Sequence, residues 1–190
     1  MKGVKIFIAD GFEDIEALAT YDVLQRGGVE VELVRVGEGQ IAESSHGIRV
    51  SVQARLEGIS RDHEGTCAND FMIFPGGMPG SKNLAECEPL ISLMKEHYAA
   101  GGSVAAICAA PGLVISQLKG LEGRKVTCFD GFEGYLEAQG AVFTGEPAVR
   151  DGRIITGRSA GHAVSFGLEI LKAICGDEKA EQVRHAMYLD

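Results

Sequence analysis

Apolar and polar positions fall along this chain in blocks, and the blocks switch repeatedly between the period of a strand and that of a helix. Val4–Ala9 reads as a strand, and Glu13–Gln25 as a helix with acids in its first turn, where the helix dipole favours them. Gly27-Gly28 closes that helix, and Val29–Val36 is an alternating strand. Gly47–Val52 reads as a short strand or hairpin arm, and Arg61–Asn69 as polar loop. Asp70–Phe74 is a short apolar strand running into Pro75-Gly76-Gly77-Met78-Pro79-Gly80. Pro89–Ala99 is helical and is closed by Gly101-Gly102. A strand then ends at Ile107, a helix runs through Leu118, a strand lies around Lys125–Cys128, and a helix spans Gly131 to Ala138. Strands near Val142 and at Arg153–Thr156 precede a long helix, Ala160–Ile174. Gly176 is its stop, and Asp177 the N-cap of a last helix, Glu178–His185.

Strands alternating with helices predict an α/β fold: a mostly parallel sheet with helices on both faces. In such sheets ligands gather beyond the carboxyl ends of the strands. Three segments are expected there: the loop after Ile8, the loop after Phe74, and the turn holding Cys108.

The chain has 190 residues, read as a single domain over 1–190, with 45% apolar and 24% charged residues. Lys and Arg number 18 against 27 acids, for a net charge of −9, and there is no basic block. That balance argues against nucleic acid or an anionic membrane as partner. No apolar run approaches the roughly 18–20 residues a membrane span needs, and the first ten residues read as a strand rather than a signal peptide. A cytoplasmic location is the expectation. The five cysteines are widely spaced with no C-x-x-C pair, so free thiols are expected rather than disulfides or a zinc site.

Cys108 follows the strand run Val104–Ile107 and precedes a helical run. A helix amino terminus beside the sulfur would make the thiol ionise more easily, and the thiolate is the nucleophile. The alternative is a small buried cysteine that only fills space. Gly76 and Gly77 directly follow a strand, where glycine lets backbone N–H groups approach an oxyanion; a plain tight turn has the same signature. Glu16 shares a helix face with Ala19, Thr20 and Val23, so its carboxyl is expected to be desolvated and raised in pKa. Glu13 and Asp14 fit a solvated, dipole-complementing role. Arg158 lies on a polar link after a strand, where it either holds the site or is a surface residue. His46 and His162 could each approach the same sheet edge, whereas His63, His97 and His185 read as surface residues. No histidine pair has ligand spacing, so no metal is expected. Cys87, Cys128 and Cys175 read as buried fillers.

Taken together, Ala9-Asp10-Gly11-Phe12-Glu13-Asp14-Ile15-Glu16, the Asp70–Gly80 stretch, Ala105-Ala106-Ile107-Cys108-Ala109-Ala110-Pro111 and Thr156-Gly157-Arg158-Ser159-Ala160-Gly161 resemble the DJ-1/ThiJ/PfpI superfamily, in its DJ-1/ThiJ branch. The resemblance covers essentially the whole chain. It implies a flavodoxin-like sandwich with a strand–Cys–helix nucleophile elbow, a homodimer, Cys108 as the reactive cysteine and Glu16 as its protonated partner. Gly77 and Ala109 would supply N–H groups to an oxyanion. Members of the branch are described as glyoxalases or deglycases acting on methylglyoxal or its adducts, as oxidative-stress sensors and as chaperones; many carry a thiazole monophosphate biosynthesis label. The implied partner is thus a small aldehyde or glycated substrate. No cofactor is implied, because oxidation and reduction would occur within one molecule. Two departures stand out. Thr127-Cys128-Phe129-Asp130 lacks a histidine that some relatives carry there, and Ala109 stands where protease and amidotransferase branches have histidine after the cysteine.

Overall fold

A computed structural model of the chain describes residues 1–189. The central sheet is built from β1 (Val4–Ile8), β2 (Val31–Arg35), β5 (Ala54–Arg55), β6 (Phe71–Phe74), β7 (Ser103–Ile107), β10 (Ala148–Asp151) and β11 (Ile154–Gly157). Its order is β10-β11-β7-β6-β1-β2-β5, and every neighbouring pair is parallel except β10 with β11. Two small sheets flank it, an antiparallel hairpin of β3 (Ile41–Glu43) with β4 (Arg49–Ser51) and a parallel pair of β8 (Lys125–Val126) with β9 (Val142–Phe143).

The near-continuous apolar runs of β6 and β7 fit a strand covered on both faces, and every residue in them is buried. Their side chains alternate between two cores. Met72, Phe74, Val104 and Ala106 join one core with α3 (Glu88–Ala99) and α4 (Ala110–Leu113). Phe71, Ile73, Ala105 and Ile107 join the other with α1 (Asp14–Arg26) and α6 (Ala163–Cys175). The remaining helices are α2 (Gly80–Ala85), α5 (Glu133–Glu137) and α7 (Asp177–Ala186).

Several boundaries differ from the sequence expectation. The helix expected through Leu118 is broken: α4 has four residues, and a 3-10 turn, Ile115–Gln117, follows it. Gly112 and the β-branched Val114 and Ile115 are weak helix formers, and Gly112 packs directly on Phe132. The long helix begins at Ala163 after a 3-10 turn at Ala160–His162. Asp177 is the first residue of α7, behind Gly176 as cap, and its carboxylate pairs with Lys172 at 2.7 Å.

His97 is not a surface residue. It is fully buried, and its Nε2–H lies between the carbonyl oxygens of Asp70 (3.0 Å) and Ser103 (3.1 Å). Burial drives its pKa down to about 4, so the ring is neutral at pH 7. Leu90, Leu93, Met94 and His97 share one helical face, which is why α3 carries the ring inward. His63 is half-buried against the Met1 amino group (2.9 Å), whereas His185 is exposed as expected. Cys128 is buried, but Cys175 is exposed and Cys87 half-buried, so neither of those two fills a core.

Candidate functional site

The sheet reverses its winding between β1 and β6, and the site forms at the carboxyl edge there. The loop after β1 leads into α1 and Glu16, the loop after β6 brings Gly76 and Gly77, and β7 ends in Cys108. All three segments expected at this edge meet.

Cys108 has φ 65, in the left-handed region that a residue with a side chain seldom adopts. Such a residue costs on the order of 1–3 kcal/mol and persists only where its surroundings hold it. Here the Cys108 N–H donates to the Gly157 carbonyl (3.0 Å), and its own carbonyl accepts the Phe129 N–H (2.8 Å). The turn leaves Cys108 half-buried, with the N–H groups of Gly77 and Ala109 near enough to the sulfur to favour its anionic form.

Glu16 is 1% exposed, and its carboxyl stands beside the same sulfur. Its Oε2 accepts the Gly76 N–H at 2.8 Å, and its own N–H is capped by Glu13 Oε2 at 2.8 Å. Gly76 separates the two reactive groups so closely that a Cβ there would lie 2.3 Å from Glu16 Oε2 and 2.5 Å from the Cys108 Cβ. Gly77 needs glycine for two reasons: its φ is +87, and a Cβ would lie 2.4 Å from the Glu13 nitrogen.

Burial lifts Glu16 to about 7; the neighbouring Cys108 thiol and the Gly76 N–H oppose that rise and the Glu13 charge adds to it. Burial, helped by the Glu16 carboxylate, pushes the Cys108 thiol up to about 12, against the pull of the Gly77 and Ala109 N–H groups. Burial and the neighbouring carboxylate thus act opposite to the helix end that the sequence suggested would make this thiol acidic. The two groups titrate as a pair. The first proton leaves near neutrality, and the second stays between carboxyl and sulfur. Moving it from sulfur to Glu16 creates a thiolate without changing the net charge.

The other candidates lie further out. Arg158 follows Gly157 and is ion-paired with Asp130 at 2.6 Å, its guanidinium 5.6 Å from the Phe143 ring centre. His162 Nδ1 lies 3.1 Å from Ser159 Oγ. His46 Nδ1 makes a short contact with Asp14 Oδ2. Among the described residues, none of these three hydrogen-bonds to Cys108 or Glu16. Asp14 is not solvated, as its place in the first turn suggests, but 8% exposed. Burial opposes its ionisation, yet the neighbouring Ser44 hydroxyl and His46 ring hold it below the usual carboxylate value. The sequence reading also missed Glu13 as the cap and Phe129 as the donor that pins the Cys108 backbone. An acid directly before a helical run is a legible cap signal; a contact from residue 129 to 108 has no local signal. A separate cavity of about 1190 Å³ lies beside Asp10, Arg35 and Ser44, and Cys108 and Glu16 do not line it.

A parallel sheet with a strained cysteine at the end of a central strand, a buried carboxyl on its sulfur and converging N–H groups defines an α/β protein with a nucleophile-elbow cysteine. The DJ-1/PfpI family profile matches residues 2–173, and the chain belongs to that family. The glutathione-independent glyoxalase DJR-1.2 of Caenorhabditis elegans is 30% identical, over 90% of this chain and 87% of that one. Protein DJ-1 homolog A of Arabidopsis thaliana is 34% identical over 99% of this chain, and this chain spans 47% of it, so about half its length. Among solved structures, oxidized Toxoplasma gondii DJ-1 superposes with a TM-score of 0.88 at 26% identity, covering 99% of this chain and 98% of that one. Among the described residues, no helix is long and apolar enough to cross a membrane.

Proposed function

We propose that this chain is a cofactor-independent glyoxalase acting on methylglyoxal-like α-oxoaldehydes, with deglycase activity on their adducts. The supporting observation is the Glu16 carboxyl seated on the Cys108 sulfur beneath the Gly77 and Ala109 N–H groups. A base with pKa about 7 works best near neutral pH. As the sulfur attacks the aldehyde carbon, Glu16 takes the thiol proton and returns it to the oxyanion, giving a hemithioacetal. The N–H groups stabilise the charge on oxygen while it develops. Glu16 then removes the proton from the former aldehyde carbon and delivers it to the neighbouring carbonyl carbon, while the hemithioacetal hydroxyl gives its proton to that carbonyl's oxygen and becomes the thioester carbonyl. A thioester of a 2-hydroxy acid results. Water cleaves it, releasing lactate from methylglyoxal and restoring the thiol. Methylglyoxal plus water equals lactic acid, so no external oxidant or reductant enters. Lactate formation by purified chain, abolished in Cys108→Ser, is the expected result; turnover surviving in that variant removes this reading.

A cytoplasmic homodimer goes with it. Ile15 and Ile48, 54% and 49% exposed, are open apolar side chains that a second copy would cover, and sedimentation equilibrium tests this.

The same N–H groups favour a second reading, a redox sensor in an oxidative-stress response, because they would also hold the oxygens of a Cys108 sulfinic acid. Intact mass after mild peroxide separates the two. A gain of two oxygens confined to Cys108, with no lactate formed, supports the sensor.

A further inference from the structure

We propose that Glu13, Asp14 and His46 form a binding site for one divalent transition-metal cation, distinct from the Cys108–Glu16 pair and adjacent to it. Sequence spacing hides the site, since its residues come from the start of α1 and from the turn between β3 and β4. One candidate ligand atom from each residue lies within 4.8 Å of the other two. In a tetrahedral zinc site with bonds of about 2.0–2.2 Å, donors sit roughly 3.3 Å apart, so only a small closure is needed.

The three groups are unequally free to move, as a loading site requires. Glu13 is half-buried and anchored through Oε2 to the Glu16 N–H, leaving its other oxygen for a ligand. Asp14 is fixed by its burial. His46, on the hairpin turn, has a side chain 69% exposed in the single chain and is the one of the three that burial does not fix. Its Nδ1 now faces Asp14 Oδ2 across a hydrogen bond, so a proton occupies the position a cation would take.

An independent observation also points to a ligand. Asp14 Oδ1 is buried and makes no hydrogen bond of ordinary length and angle, although the Ser44 hydroxyl close to the carboxylate favours its charged form. A buried carboxylate oxygen left unpaired is unfavourable, and a coordinated cation would satisfy it. One imidazole with two carboxylates suits zinc or manganese better than calcium or magnesium, which prefer all-oxygen shells. Adjacency follows from the backbone: the Glu13 N–H donates to the Gly76 carbonyl at 3.0 Å.

The test is calorimetric titration of tag-free, chelator-stripped full chain with Zn2+. One saturable site is expected in the wild type and equally in Cys108→Ser. His46→Ala, a change at an exposed turn position, should weaken it at least tenfold. The Co2+ form should show d–d absorption without a thiolate charge-transfer band. Absence of saturable binding overturns the proposal. So does binding that His46→Ala leaves unchanged, binding lost in Cys108→Ser, or a thiolate band.

Discussion

The two ends of β7 each carry a buried acid–base group, and the contrast between them separates a site from a piece of scaffold. At the amino end, the His97 Nε2–H is shared by the carbonyls of Asp70 and Ser103, and the ring is sealed from solvent. At the carboxyl end, Glu16 is equally buried but rests on a half-exposed sulfur, and its Oε1 has no hydrogen-bond partner. Both groups are pushed toward their neutral forms by burial. Burial alone therefore does not mark function. Access to a nucleophile does.

The largest expected effect breaks only one end. Glu16→Gln should lower kcat/KM for lactate formation by about 10²–10⁴-fold, the usual range for a lost acid–base group. In the wild type, kcat/KM should rise with pH through about 7 as Glu16 becomes the carboxylate, and the variant should lose that limb. His97→Gln should stay within about twofold of wild type per folded molecule, since it touches no reacting atom. A large loss there would erase the contrast.

Gly76→Ala comes next. A methyl group 2.3 Å from Glu16 Oε2 and 2.5 Å from the Cys108 Cβ must push the pair apart. Overpacking of this kind costs about 1–3 kcal/mol of stability, and activity should fall at least tenfold, measured by urea unfolding and lactate assay on the same sample.

Stability against pH sharpens the comparison because the two ends have opposite signs. His97 has a folded pKa of about 4, below the ordinary 6.5, so the unfolded chain binds more protons between those values. Its contribution is lost as pH falls from 6.5 toward 4. Glu16 has a folded pKa of about 7, above the ordinary 4.5, so its contribution is present below 4.5 and lost as pH rises through 7. Each effect is on the order of 3 kcal/mol. Urea unfolding at pH 4.5 and pH 8 should show His97→Gln less acid-sensitive than wild type. At pH 8, Glu16→Gln should be more stable than wild type, trading activity for stability. Equal pH profiles for wild type and both variants would contradict both assignments.

The central strands were legible because β1, β6, β7 and β11 are short apolar runs bounded by glycine or polar residues, and α1, α3 and α6 carry long periodic faces. β10 escaped notice. It is an edge strand holding Arg150 and Asp151, half of it solvent-facing, and only the Asp151-Gly152 turn before β11 hints at a hairpin. The Cys108–Glu16 pair was readable because a strand–cysteine–helix junction and a glutamate on a small apolar helix face are local patterns. The direction of the thiol's shift was not, since it depends on burial of the sulfur and on Glu16 standing beside it, and neither has a local signal. His97 was readable in principle from Leu90, Leu93 and Met94. The prior that histidines sit outside outweighed the period.

Gly76 has one further consequence. The atoms beneath the reactive pair leave no room for any larger residue, so variation cannot tune selectivity from that side. Met78 and Phe129 are both exposed; Met78 directly follows the Gly76-Gly77 turn, and the Phe129 N–H donates to the Cys108 carbonyl. On the proposed reading, substitutions at these two positions should change which aldehydes are accepted while leaving the Cys108–Glu16 pair in place, so that substrate range and reactivity would be adjustable independently.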